Sequence, residues 1–433
     1  MLTTGPAGSD VTSPAATRWS PATRIAFRFC VVYFGLTILF TQLFGAVFQL
    51  PSPAFVTGVQ DLFAFVGEHV FGVGPIQLQL SGSGDKLIDW VQAGTLLLFA
   101  LASTVVWSLV SQRDSHPRAY RWFRLLVRFA LGATMVRYGF SKVLPTQMPT
   151  VFLTRLVEPF GNFSPMGVLW TSIGASPAYE SFTGAVELLG GVLLFFPRTT
   201  LLGALISLVA TGEVFVLNMS YDVPVKLLSF HLVLMALILV APYVGNLFDL
   251  LLRHRPLTPV QEPPIGRTPR RRRLALVAQA VYGFLIVLIA FSASMFTWSR
   301  FGASAPKSPL YGIWNVDQMT IDGELRPPLV TDGSRWRRVI MQAPTAVVFQ
   351  RMNDTFDRFT AEFAGDNKTL KVTSVDRKTS STLTYRRSPA ERLVLDGTLD
   401  ERLVHLELTQ VDLNTFLLNS RGFHWIQEVP FNR

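Results

Sequence analysis

Four ionisable side chains stand inside long apolar runs: Arg137, Glu187, Glu213 and His231. Such a group in a membrane span is costly unless it is paired or lines a cavity, so each one needs a reason. Counting about 1.5 Å of rise per residue from the outer end of each run puts them at depths of about 10, 13, 9 and 10 Å. Four helices would then each supply a polar group at one level. Glu187 or Glu213 could carry a proton there, with His231 as a titrating partner. Lys142, Glu180, Asp222 and Lys226 lie nearer the surface, and Asn218 and Tyr221 extend the polar set. Glu180 and Glu187, seven residues apart, share a helix face. Asp222 is placed to cap the following helix, whose first turn contains Pro224.

Two readings of this layer stay open. In one, Arg137 pairs with Glu187 or Glu213, and the layer fixes helix register and nothing else. In the other, it surrounds a cavity where a proton or small molecule is handled, since two acids facing one arginine leave a surplus charge. Gly184, Gly190 and Gly191 around Glu187 allow close helix approach. Arg128 can snorkel to the interface. His231 is the one histidine within a span, which excludes a bis-histidine haem inside one chain. Cys30, the single cysteine of 433 residues, excludes an intrachain disulfide and any cysteine-built metal site within one chain, and reads as a small apolar filler.

The elements that must hold these groups are apolar. The chain is 49% hydrophobic and 16% charged, against about a quarter charged in soluble domains. Seven runs approach the roughly 20 residues needed to cross a bilayer: 25–48, 87–110, 123–144, 178–196, 201–219, 225–247 and 274–298. The formal charge of +10 is uneven. Residues 307–433 hold 17 basic and 16 acidic side chains, and the remainder 22 and 13. The excess therefore clusters between the apolar runs, at Arg113–Arg124, Arg253–Arg255 and Arg270–Arg273, where it acts as a topology determinant rather than a nucleic-acid surface. The bias places the N-terminus in the cytoplasm and the C-terminus outside. Residues 1–24 read as a disordered cytoplasmic lead, and the first run as an uncleaved anchor. Val56, Val59, Phe63, Val66 and Val70 have the spacing of an amphipathic surface helix within 54–73. Residues 151–179 read as a cap on the bundle or a re-entrant segment.

After Trp298 the period changes to alternation, in short segments at 337–341, 347–352, 356–363, 370–375, 382–386, 393–395 and 403–408. Turns are expected at Asn353-Asp354, Gly365-Asp366-Asn367, Pro389 and Asp396-Gly397. This predicts an antiparallel barrel or sandwich at 310–433, joined by a linker at 301–309. The fold class is thus an α-helical membrane bundle of about seven spans followed by an all-β antiparallel barrel.

Certain motifs carry a resemblance. Tyr138-Gly139-Phe140-Ser141-Lys142, Ser164-Pro165-Met166-Gly167, Phe182-Thr183-Gly184-Ala185-Val186-Glu187 with Gly190-Gly191, and Tyr221-Asp222-Val223-Pro224-Val225-Lys226 with Ser229 and His231 resemble the DoxX-like membrane proteins. Ser81-Gly82-Ser83-Gly84-Asp85 fits the longer variant of that family, whose core would be 123–250 here. The resemblance implies a small bundle in the bacterial cytoplasmic membrane and, from the family's namesake, an accessory or quinone-contacting subunit of an oxidoreductase served by a redox partner. Gly312-x-Trp314 is similar to the GxW signature of lipocalins, with Trp314 expected to close one end of the barrel. That barrel would be either filled by its own side chains or open as a pocket for an apolar molecule. The other functions left open are transport or small-molecule binding through the barrel, and an inert anchor for it.

Overall fold

A computed structural model describes residues 18–47, 56–76, 81–256, 265–266, 268–364, 368–375, 380–388, 391–399 and 401–432. The expected disordered lead up to residue 17 and the turns at 365–367 and Pro389 lie outside the described residues. The chain falls into two units, Met1–Arg137 with Glu187–Met219 and Pro224–Ala290, and Tyr138–Val186 with Ser220–Val223 and Phe291–Arg433.

All seven apolar runs contain a helix. They correspond to α1 (Pro21–Phe40), α3 (Leu87–Val110), α4 (Pro117–Val143), α7 (Pro177–Leu194), α8 (Thr200–Ser220), α9 (Lys226–Val240) continued by α10 (Val244–Leu251), and α11 (Pro269–Phe301). Among the described residues, five segments are long and apolar enough to cross a membrane: 21–40, 87–110, 197–220, 226–251 and 269–301. Their outward faces are greasy: α3 exposes Phe99, Val105, Val106 and Leu109. A water-facing helix could not sustain such a stripe. By length and composition these helices are of the kind that cross membranes.

Three boundaries differ from the sequence reading. Helix α1 starts at Pro21, capped by the Ser20 hydroxyl, so the last residues of the expected lead are ordered. It stops at Phe40 because Gln42, Gly45 and Ala46 take left-handed φ values. At Gly45 an added Cβ would lie 2.6 Å from Ile286, so only glycine lets the chain pass α11 there. The sixth run breaks after Val240, where Pro242 has no N–H to donate and a 3-10 turn links α9 to α10. The expected amphipathic helix is α2 (Thr57–His69), which buries Phe63 and packs Gly67 against Val91 of α3.

Glycines set the closest helix approaches. A Cβ on Gly191 would lie 2.8 Å from the Gly132 carbonyl oxygen of α4, and one on Gly203 2.9 Å from the Gly190 carbonyl oxygen of α7. This is the small-residue packing expected around Glu187.

Strands β1 (Gly312–Ile321), β3 (Trp336–Met341), β4 (Ala346–Arg351), β5 (Phe356–Phe363), β6 (Thr369–Ser374), β7 (Ser380–Ser388), β8 (Arg392–Leu399) and β9 (Arg402–Gln410) run up and down, and β1 pairs with β9 to close an eight-stranded antiparallel barrel. The two-residue β2 (Glu324–Leu325) folds back to pair antiparallel with the last residues of β1. Asp396-Gly397, expected as a turn, lies inside β8. The glycine is needed there for closeness rather than bending, because a Cβ would sit 2.3 Å from the Thr382 carbonyl oxygen of β7. Inward residues, among them Trp314, Met319, Phe349, Leu383 and Leu406, fill the interior. The outer face of the barrel also carries a buried seam. Ile313 and Ile340 pack on Leu153 of α5 (Leu153–Val157), while Gln342 Oε1 accepts from Leu153 N and Gln350 Nε2 donates to the Val157 carbonyl. Part of the loop expected to cap the bundle therefore holds the barrel. Helices α6 (Pro165–Gly174) and α12 (Leu417–Ser420) complete the second unit.

Candidate functional site

The predicted polar layer separates into different environments. Glu187 and His231 are buried, whereas Arg137 and Glu213 are exposed on the surfaces of α4 and α8. The four do not share one enclosed chamber, because helical phase turns two of them outward. His231 has both ring nitrogens engaged. Its Nδ1 lies 2.7 Å from the Leu227 carbonyl, which can only accept, so Nδ1 carries the proton. Nε2 is then the acceptor for the Tyr33 hydroxyl at 2.8 Å. This fixes the neutral tautomer and ties α9 to α1.

The remaining residues are mostly tied to helix ends. Asn218 is buried and donates to Ser229 Oγ at 3.0 Å. Glu180 is fully buried, accepting from Met148 N at 3.0 Å, with buried Lys142 in its electrostatic neighbourhood. Tyr221 is half-buried. Asp222, expected as a cap for α9, is exposed with a left-handed φ of 52°. The first N–H groups of α9 are held by Asp85, whose carboxylate accepts from Lys226 N at 2.8 Å and Leu227 N at 2.9 Å, with Lys226 Nζ 3.9 Å away. Gly84 N donates to the Pro224 carbonyl beside it. The Ser81–Asp85 and Tyr221–Lys226 motifs are thus halves of one joint, linked across 141 residues.

Opposite charges do the same work at the other ends. Arg28 donates to the Ser111 carbonyl at the end of α3, Arg128 to Leu194 at the end of α7, and Arg124 to Leu239 near the end of α9. All three arginines are buried. Cations at helix C-termini meet orphan carbonyls and the negative pole of the helix. Arg128 accordingly does not snorkel. Sequence reading counted Arg124 as a topology signal, gave Arg128 to the interface and passed over Arg28, missing the caps because their partners are main-chain atoms.

Two cavities stand apart from these joints. The first is a groove of about 400 Å³ along α4 and α11, walled by Trp122, Leu126, Phe129, Ala278 and Tyr282. Gln279 lies in its wall; Nε2 donates to the Ala275 carbonyl, while Oε1 is buried with no donor among the described residues. As a neutral amide in an apolar run, Gln279 escaped a search for charge.

The second cavity, about 430 Å³, opens at the barrel end built from the last residues of β1, β4, β6 and β8. Its walls include Arg351, Asp357, Arg358 and Arg402, so the pocket present is polar rather than the apolar one expected. Close by, Arg335 is buried in the barrel, donating to the Val316 and Trp336 carbonyls. Burial pulls its pKa down, and Asp332 and Asp317 oppose the shift. At the start of β1, Trp314 is fully buried and donates to the Leu310 carbonyl at 3.0 Å beneath Arg387. Gly312 has φ +145° and abuts Gln410, which accounts for the glycine of the signature.

The architecture defines a class: apolar, membrane-type helices followed by a closed eight-stranded barrel. Within it, 127 residues (29% of the chain) are 35% identical to the uncharacterized protein YwoB of Bacillus subtilis (strain 168), covering 76% of that protein. The chain belongs to the YwoB family. No family model and no solved structure matches it.

Proposed function

We propose that the protein is a multi-pass component of the bacterial cytoplasmic membrane, with its N-terminus inside and its barrel outside, and that it serves a membrane oxidoreductase as a quinone-contacting subunit. The seven-span count, the DoxX-like relationship and a redox partner that delivers electrons are parts of the same reading. One observation carries it: the apolar groove with the buried Gln279 acceptor in its wall. A quinone supplies a two-electron, two-proton carrier, and only its reduced form bears O–H donors. Aromatic walls from Trp122, Phe129 and Tyr282 and the aliphatic Leu126 and Ala278 would hold a ring and the start of a tail, while Gln279 Oε1 would accept a hydrogen bond from a hydroxyl.

The test is quinone content of the full chain, purified in mild detergent and extracted with solvent. Wild-type protein should carry quinone well above an unrelated multi-pass protein prepared alongside, and Gln279→Leu should lose at least fivefold of it. Equal content in the unrelated protein would overturn the reading.

A further inference from the structure

Among the described residues, the barrel mouth holds more positive charge than its own architecture uses. Three arginines and one aspartate line the cavity. Arg351 is committed: Nε and Nη2 donate to Asp357 at 2.7 and 3.1 Å, and Nη1 donates to the Gly333 carbonyl at 2.6 Å. That fork neutralises Asp357 and stiffens one wall. Arg358 and Arg402 have no hydrogen-bond or acidic partner among the described residues, and both are exposed at the opening. Beneath the same end, Arg335 is about 1% exposed, bonded to neutral carbonyls rather than a carboxylate, and its Nε has no partner among the described residues. A guanidinium placed there without a carboxylate bonded to it adds a fixed positive field under the mouth. The walls also offer flat apolar surface from Trp336 and Phe359.

We propose that the barrel mouth binds a small organic anion, a carboxylate or phosphate ester with an apolar ring or chain. Its anionic oxygens meet the Arg358 and Arg402 guanidiniums, and its apolar part lies against Trp336 and Phe359. Guanidinium forks match both oxyanion types in a bidentate manner. A cavity of about 430 Å³ suits a compact ligand of this kind. The site is independent of the quinone groove and of the proposed redox role.

The experiment uses the full chain in a neutral detergent with phenyl phosphate, benzoate and benzyl alcohol as probes, read by equilibrium dialysis. Saturable binding of either anion with at least tenfold weaker binding of benzyl alcohol is expected, and the stronger anion tells phosphate ester from carboxylate. The Arg358→Gln/Arg402→Gln protein should bind that anion at least tenfold more weakly. Arg386→Gln, on the barrel's outer surface and paired with Asp396, should bind as wild type. Thermal melting of each variant shows whether the barrel stays folded. Absence of saturable anion binding, or unchanged binding in the folded double variant, overturns the proposal.

Discussion

The helical unit and the barrel mouth treat charge in opposite ways. In the helical unit, ions are spent on helix ends: the half-buried Asp85 on the start of α9, and the buried Arg28, Arg128 and Arg124 on the ends of α3, α7 and α9. Helix α9 is clamped at both poles by side chains of the matching sign. At the barrel mouth, Arg358 and Arg402 face a cavity instead. A buried charge with a main-chain partner reads as architecture. A charge at a cavity with no described partner reads as recognition.

This contrast can be broken by substitution. The largest effect is expected for Gly191→Val, where the added atoms meet the Gly132 carbonyl and the Met135 side chain. Overpacking of this kind costs about 1–3 kcal/mol or more, and the variant should accumulate poorly in membranes. Asp85→Ala leaves two N–H groups at the head of α9 without their acceptor, and should cost about 2 kcal/mol in detergent melts. Arg128→Met strands the Leu194 carbonyl, for about 1–3 kcal/mol by the same measurement. Arg358→Gln/Arg402→Gln should change stability by less than about 0.5 kcal/mol, as surface changes do, while affecting binding. A double variant that melts far below wild type would show that these arginines are structural too.

A pH test sharpens the helical side. His116, in the loop before α4, has its pKa held below the ordinary imidazole range by burial and by the nearby Arg28 and Arg113. The unfolded chain binds that proton more readily, so the contribution is present above about pH 6.5 and is lost as pH falls towards the folded value. His116→Gln should flatten this small slope in melting temperature across the same window.

Much of the fold was legible because it is periodic. Runs of about 20 apolar residues located every long helix, and alternation located seven of the eight barrel strands to within a few residues, while β1 was marked only by the Gly312-x-Trp314 motif. Boundaries failed where one residue answered to a distant neighbour. Gly45 turns because Ile286 is there, and Gly397 stays extended because β7 is there. The site was less legible for the same reason. Chain order pointed to Asp222 at the start of α9 and gave no sign of Asp85, whose carboxylate is brought there by a loop far earlier in the chain. The exposure of Arg137 and Glu213 depends on helix rotation, which a depth count along each axis does not contain. Gln279 could be found only by asking which neutral side chain lacks a partner.

The seam between the barrel and α5 makes the barrel a latched body rather than a bead on a string. It is joined covalently through the end of α11 and again through Leu153, Gln342 and Gln350. A protease nick between residues 302 and 307 would sever the first attachment and leave the second. The barrel should therefore stay with the membrane fraction after such a cut, and leave it only when the Leu153–Val157 latch is also undone.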